Sequence, residues 1–279
     1  MRVVIAIDSF KGSLSSIQAG NAVREAVLRA DGSAQVVVRP LADGGEGTVN
    51  ALSSGLGGST TAITVTGPLK KPVLANYCIL ADGKTAVIEM AAAAGITLVP
   101  PEERNPLETT TYGVGEIILD AVKRGCRRFI VGIGGSATND GGTGMLSALG
   151  FDFLDNDGNP IPLGAKGLEK LSWISDENVI PELRQCSFRI ACDVTNPLCG
   201  ENGCSAVFAR QKGADDVMIE KMDGWLKRYA ETAKRVTDRA DMNHAGVGAA
   251  GGLGFAFHTF TNAVLESGVY IILEETELE

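Results

Sequence analysis

Histidine occurs only twice in this 279-residue chain, and aromatic residues make up 5% of it. With His244 and His258 alone, and no G-x-S-x-G elbow beside them, Ser-His-Asp hydrolysis has little support. His258 lies in an apolar segment and reads as a core or helix residue. Scarce aromatics, set against abundant Ala, Gly and Val, suit tightly packed α/β layers better than a β-sandwich or a membrane protein. No stretch of about eighteen consecutive apolar residues occurs, so nothing is expected to span a bilayer. The short apolar run at the N-terminus is followed at once by Asp8 and Lys11, which reads as a buried first strand and not a signal peptide. Long Lys/Arg clusters are missing and the net charge is −9, which argues against a nucleic-acid partner while leaving local sites free to bind anions. A Walker A loop, G-x-x-x-x-G-K-[ST], is absent. The six cysteines (78, 126, 186, 192, 199 and 204) form no CxxC pair, and the gaps of five, six and four residues between 186 and 204 fit no zinc pattern well. Small buried thiols in a reducing, cytoplasmic compartment are the better reading.

What the chain does have is glycine, 35 residues of it, and the densest stretch is residues 132–144, GIGGSATNDGGTG. It follows an apolar β-branched run. Backbone N–H groups in such a loop are little shielded by side chains and can converge on an anion. Ser136, Thr138, Asn139 and Asp140 add groups that bond hydroxyls or a metal ion. The loop is therefore expected to hold a phosphate or a small polyhydroxy acid. Around it, residues 2–7, 36–38 and 60–65 read as strands, with an amphipathic helix over 15–30 capped by Ser13 or Ser15 and another helix around 46–54. This βαβαβ order opens a doubly wound sheet. Beyond a break at 66–72, runs at 73–80 and 85–89 joined by an Asp-Gly turn predict a hairpin. Helices are expected over 108–124, 142–149 and 214–237, strands over 128–131 and 188–192, and a second hairpin at 151–163. The expected division of the chain is 1–66 and 67–279.

Four polar blocks fall just after strands, the position where open α/β sheets bind ligands. The first contains Asp8, Ser9 and Lys11; Lys11 could reach a transferring phosphate and Asp8 could polarise a hydroxyl or hold magnesium. The second pairs Asp43 and Glu46 among glycines, a donor set for a hard cation. The third is the glycine loop, with Gly134, Gly135, Ser136, Thr138, Asn139, Asp140 and Gly141. The fourth holds Asp193 and Asn196, and further on Lys212 offers another mobile cation. Any one of these carboxylates alone could be a helix cap or a solvated turn. Two fingerprints for a dinucleotide compete: Gly132, Gly134 and Ala137 with Asp152 twenty residues on, and Gly246, Gly248 and Gly251. The first has Asn-Asp-Gly-Gly before any helix can start, and the second lacks a clear preceding strand, so both are weak.

Taken together, the motifs DSFKGSLSS (8–16), PLADGGEGT (40–48), GIGGSATNDGG (132–142), CDVTNPLCGENG (192–203), QKGA (211–214) and GVGAAGGLG (246–254) resemble those of the type I glycerate kinase family, in order and rough spacing over nearly the whole chain. The resemblance implies ATP- and Mg2+-dependent phosphorylation of D-glycerate to 2-phosphoglycerate. It also implies a Rossmann- or flavodoxin-like parallel-sheet domain with a second α/β domain inserted into it, and the site in the cleft between them. Family members run on through a return segment that this sequence lacks, so a fragment or short homologue is expected. On this reading Lys11 meets the transferring phosphate, and Asp193 acts as base or metal ligand. Asp8, Asp43 and Glu46 arrange magnesium or substrate hydroxyls, and residues 134–142 cradle phosphate or carboxylate. The partners are the two small molecules, without nucleic acid or membrane, and a homodimer is compatible with it. The alternatives are an NAD-dependent oxidoreductase and a truncated homologue that binds glycerate or nucleotide without turnover.

Overall fold

The computed structural model of the chain describes residues 1–8, 10, 13–41, 49, 52–53 and 56–275. Strands β1 (Arg2–Ile7) and β2 (Gln35–Pro40) lie parallel, with Arg2 opposite Gln35 and Ile7 opposite Pro40. Helix α1 (Ser16–Ala30) makes the crossover that a parallel pair requires. It starts where the sequence places a cap: the Ser15 hydroxyl accepts from Gln18 N at 3.2 Å, and the Gln18 side chain accepts from Ser15 N at 2.9 Å. Gly20 lets the helix sit tightly on β2, since a Cβ there would lie 2.3 Å from a Val38 methyl.

Among the described residues the main sheet has six strands: β3 (Gly58–Thr66), β4 (Pro72–Leu80), β5 (Thr85–Glu89), β6 (Arg128–Gly132), β9 (Ser187–Ala191) and β10 (Ala263–Glu266). Their spatial order is β10-β9-β6-β5-β4-β3. Strands β5, β6, β9 and β10 run parallel, and β3 and β4 add an antiparallel flank. The Asp-Gly hairpin forms as expected: Gly83 takes a left-handed φ of 65°, and Asp82 Oδ1 accepts from Lys84 N and Thr85 N at 2.7 and 2.8 Å.

The expected third strand of the first sheet goes elsewhere. Strand β3 pairs with β4 along nine residues, Gly58 with Leu80 through Thr66 with Pro72, so the six-stranded sheet begins ahead of residue 66. The Gly-Pro segment read as a break is a hairpin turn, closed by Gly67 N donating to Lys71 O at 2.7 Å. So short a connector can join only antiparallel neighbours. At the second predicted hairpin, β7 (Asp152–Leu154) turns at Asp155, yet its ladder partner is the later strand β8 (Trp173–Ser175); Pro160 supplies one isolated bridge to Leu154.

Helices cover both faces of the sheet. On one side lie α2 (Ala91–Ala94), α3 (Tyr112–Lys123), α4 (Thr143–Ala148), α5 (Cys204–Phe208), α6 (Asp216–Ala233) and α7 (Ala249–Phe260), in a core that includes Tyr77, Ile88, Phe129, Phe188 and Phe257. On the other, α8 (Gly268–Glu275) lays Ile271 and Ile272 over Cys78, Val87, Ile130 and Ala191, and Leu52 joins them. Arg189 pins α8 in place: it bonds Glu266 at 2.8 and 3.0 Å, Glu274 at 2.6 Å and Glu275 at 2.8 Å. Part of the predicted helix at 46–54 lies outside the described residues.

Helices α3 and α4 touch through Gly115, where a Cβ would stand 2.3 Å from Met145 O. Backbone cannot retreat as a flexible side chain can, so Gly115→Ala is expected to lower unfolding free energy by about 2–3 kcal/mol, read as an earlier urea midpoint.

Candidate functional site

The four parallel strands end side by side. Glu89 of β5 stands opposite Gly132 of β6, Gly132 opposite Ala191 of β9, and Ala191 opposite Glu266 of β10. The segments leaving these ends share one rim, as in other open α/β sheets, where ligands bind beyond the carboxyl ends of the strands. From β6 comes the glycine loop, from β9 the block beginning at Asp193, and from β10 the turn at Ser267.

The glycine loop has an exposed lip and a buried base. Gly134 and Gly135 are exposed, while residues 136–142 are buried. Gly135 adopts a left-handed φ of 72°. Just past it the chain lies across the segment after α2: Ile96 N donates to Gly135 O at 2.8 Å, and Ala137 N to Ala94 O at 2.9 Å. Asp140 is wholly buried. Its Oδ2 accepts from Thr111 N at 2.8 Å and Thr111 Oγ1 at 2.9 Å, and its Oδ1 accepts from Gly142 N at 3.1 Å. Burial pushes this carboxyl up from the usual range, and the Thr111, Gly142 and Gly144 amides pull against that shift. Asn139 donates from Nδ2 to Ser205 Oγ at 2.9 Å. The buried Asn139 Oδ1 and Thr138 Oγ1 meet no partner among the described residues.

Lys212 is not the mobile cation its sequence context suggests. It is 2% exposed, and its Nζ donates to Ser136 Oγ at 2.8 Å and to Thr138 O at 2.6 Å. Burial pushes its ammonium down to about 8, with Asp140 and Cys204 acting against that shift.

The segment 246–254 packs directly on this base. Gly141 N donates to Gly251 O at 3.0 Å, and a Cβ on Gly251, where φ is +67°, would meet Thr138 O at 2.1 Å. On its other side Gly248 N donates to Asn196 O at 2.9 Å. The structure thus joins the third and fourth polar blocks through a segment set aside as a weak dinucleotide fingerprint. Asn196 itself turns its side chain to Asn202 O, at 2.8 Å, closing the 196–202 turn. Asp193 is exposed, and its Oδ1 accepts from Ser267 Oγ at 2.8 Å and from Gly268 N at 3.2 Å, so it also caps the start of α8.

Asp8 is exposed at the end of β1, on the two-stranded sheet. Ser9, Lys11, Asp43 and Glu46 lie outside the described residues. Three participants had no signal strong enough to mark them beforehand: Thr111, Ser205 and Glu89, whose carboxylate accepts from Val49 N at 2.9 Å. The buried run Thr109, Thr110 and Thr111 is the sort of hint a reader could have used, because three hydroxyls without solvent need specific acceptors. The first dinucleotide fingerprint is also not built. A Rossmann turn runs straight into its helix, whereas here Ser136 first bridges Gly95 and the next helix starts at Thr143.

This is a mixed α/β protein with a glycine-rich loop at the ends of the parallel strands of its main sheet. The family model described as the glycerate kinase family matches residues 3–279. The glycerate 2-kinase of Escherichia coli K12 is 47% identical over 279 residues, covering all of this chain and 73% of that protein. The glycerate kinase of Bacillus subtilis 168 is 45% identical, with the same coverage of both. A crystal structure of a candidate glycerate kinase 2 from Salmonella typhimurium LT2 superposes with a TM-score of 0.96 at 45% identity, covering all of this chain and 74% of that one. The chain belongs to the glycerate kinase family.

Asp140→Asn keeps the volume of the buried side chain and points an amide at donors that need an acceptor. Chemical unfolding is expected to show a loss of about 2 kcal/mol, whereas a stability equal to the parent's would mean that the loop is anchored elsewhere.

Proposed function

We propose that this protein transfers the γ-phosphoryl group of ATP to the 2-hydroxyl of D-glycerate, giving 2-phosphoglycerate and ADP. The observation that carries the reading is the shared rim: a glycine loop with two exposed glycines and the block of the exposed Asp193 leave neighbouring parallel strands in a chain of the glycerate kinase family. Glycerate and ATP are both anions, and backbone N–H groups of exposed glycines such as Gly134 and Gly135 suit a carboxylate or phosphate oxygen. Transfer of this kind is mostly positioning and charge neutralisation, so a rigid loop and one well-placed base suffice as the protein's share.

Asp193 is the residue we assign to the attacking hydroxyl. The fold holds it through Oδ1, and proton acceptance from the 2-hydroxyl falls to the carboxylate as it stands at the rim. Among the described residues no three His, Cys, Asp or Glu side chains gather as a metal cage. Magnesium would enter as the ATP complex, held by the phosphates and by one or two carboxylates. Asp43 and Glu46 are the candidates for that role, and Lys11 and Ser9 for the phosphate. The cytoplasm, where ATP is available, is the setting we propose. No helix among the described residues is long and apolar enough to cross a membrane, and all six thiols are free.

A coupled ADP-release assay with D-glycerate tests the reaction, and phosphorus NMR of the product tests the position: 2-phosphoglycerate is expected, and 3-phosphoglycerate would refute the assignment. Release of ADP without glycerate dependence would refute the acceptor. Asp193→Asn retains an oxygen for Ser267 and Gly268 while losing the base. Turnover should fall at least about a hundredfold with the melting temperature unchanged; near-normal turnover would remove Asp193 from the role.

A further inference from the structure

The Ser136 hydroxyl sits at the junction between the exposed lip of the loop and its buried base. The residue is 7% exposed and follows two exposed glycines. Beneath it is Lys212, its Nζ 2.8 Å from Ser136 Oγ and 2.6 Å from Thr138 O. An ammonium group carries three donors and no acceptor. Facing it, Ser136 Oγ can only accept, so the hydroxyl's own proton must be offered in another direction. Among the described residues none takes that proton. If Lys212 loses its charge, its nitrogen gains a lone pair and can receive the Ser136 proton instead, which turns the hydroxyl inward.

We propose that Lys212 is a positioning residue that sets the polarity of the Ser136 hydroxyl, directing its proton to an anionic oxygen of the bound substrate. The proposal rests on the phosphoryl-transfer reading and deepens it by naming a specificity element of the same site. Lys212 does not touch substrate; it acts through Ser136 from the interior. A neutral hydroxyl aimed at a carboxylate or phosphate oxygen makes a charge-assisted hydrogen bond, worth more than one to water when solvent is excluded.

Burial lowers the Lys212 ammonium to about 8, so the outward polarity is held below that pH and lost as pH rises through it. Cys204 and Asp140 are the titratable groups that act on Lys212. Burial pushes Cys204 up to about 11 and raises Asp140 as well, against the pull of the hydrogen bonds it accepts from Thr111 and Gly142; Tyr229, which interacts with Asp140, is held well above its ordinary range. Stability moves the other way. A lysine whose folded value lies below its unfolded one binds fewer protons folded than unfolded between the two values, so this group adds stability as pH rises. Alkaline loss of affinity through Lys212 is therefore separable from unfolding.

The test is the pH dependence of KM for glycerate and for ATP, from pH 7 to 9.5, in the unaltered chain and in Ser136→Ala, Lys212→Met and Lys212→Arg, with melting temperatures recorded alongside. In the unaltered chain one KM is expected to rise with a midpoint near pH 8; the glycerate KM moving identifies a carboxylate partner, the ATP KM a phosphate. Ser136→Ala should raise that same KM about tenfold at pH 7 and abolish its rise. Lys212→Met should do likewise, and the double variant should lose no more than either single one, because both break one coupled unit. Lys212→Arg keeps a donor-only cation throughout this range, so it should restore much of the affinity and remain flat. A rise that persists in Ser136→Ala, or flat KM values in the unaltered chain, overturns the proposal. If Lys212→Met does not fold, those two readings still decide it. Absence of glycerate-dependent ADP release at every pH overturns the phosphoryl-transfer reading and this proposal together, whereas release with unmoved KM values overturns only the role of Lys212.

Discussion

A carboxylate sealed from water must be answered by hydrogen-bond donors, and Asp140 makes that demand at the centre of this fold. An unpaired buried charge costs several kcal/mol. The donors that meet it come from both ends of the site: Thr111 at the start of α3, and Gly142 at the start of α4. Thr111 does double duty, because its hydroxyl also accepts from Met145 N at 3.0 Å inside α4. One carboxylate therefore fixes where two helices begin relative to strand β6. Those two helices in turn cover the sheet face on which Ile88, Phe129 and Val131 are buried. Site geometry and core packing are the same problem solved by the same residue.

The glycines follow from that crowding more than from flexibility. A Cβ at Gly144 would lie 2.3 Å from Thr110 Oγ1 and 3.0 Å from Asp140 Oδ2, and one at Gly142 would lie 2.4 Å from the Ala256 methyl. Side chains here would push apart the donors that Asp140 needs. At the exposed lip crowding is not the reason: a Cβ on Gly135 would meet nothing nearer than the Ala91 methyl at 3.7 Å, and it is the left-handed φ of 72° that calls for glycine there. A loop rich in one residue type thus serves two purposes within ten positions, and local sequence alone does not separate them.

Much of the architecture was legible because periodicity and punctuation act locally. The Ser15 cap, the Asp82 turn and Gly125, whose φ of 98° ends the segment after α3, all lie within a few residues of what they control. At 66–72, Gly-Pro signals a change of direction without saying whether the chain leaves the sheet or returns beside itself. Pairing of β3 with β4 is a long-range outcome. At the site, residue types were legible and their depth was not. Lys212 looks like any cation after a helix, and nothing within a dozen positions reveals that Ser136 and Thr138, more than seventy residues away, will close over it. Buried polar networks are specified jointly by distant segments, which is why a single sequence announces their members and hides their partners.

Depth also decides what each residue can contribute to chemistry. Groups that meet charge developing during phosphoryl transfer help most when they are already oriented, since reorienting them during the reaction would add to the barrier. Exposed side chains rarely satisfy that condition alone. Here the buried layer of Asp140, Asn139 and Lys212 is cross-tied to Thr111, Ser205, Ser136 and Thr138, and it supports a thin exposed layer that needs few side chains of its own. Asp193 follows the same logic from the next strand, held by Ser267 and the first residue of α8, a helix that Arg189 ties to the sheet through Glu274 and Glu275 while it also bonds Glu266 of β10. Rigidity at the rim is thus supplied from below, by the hydrogen bonds that cross-tie this buried layer.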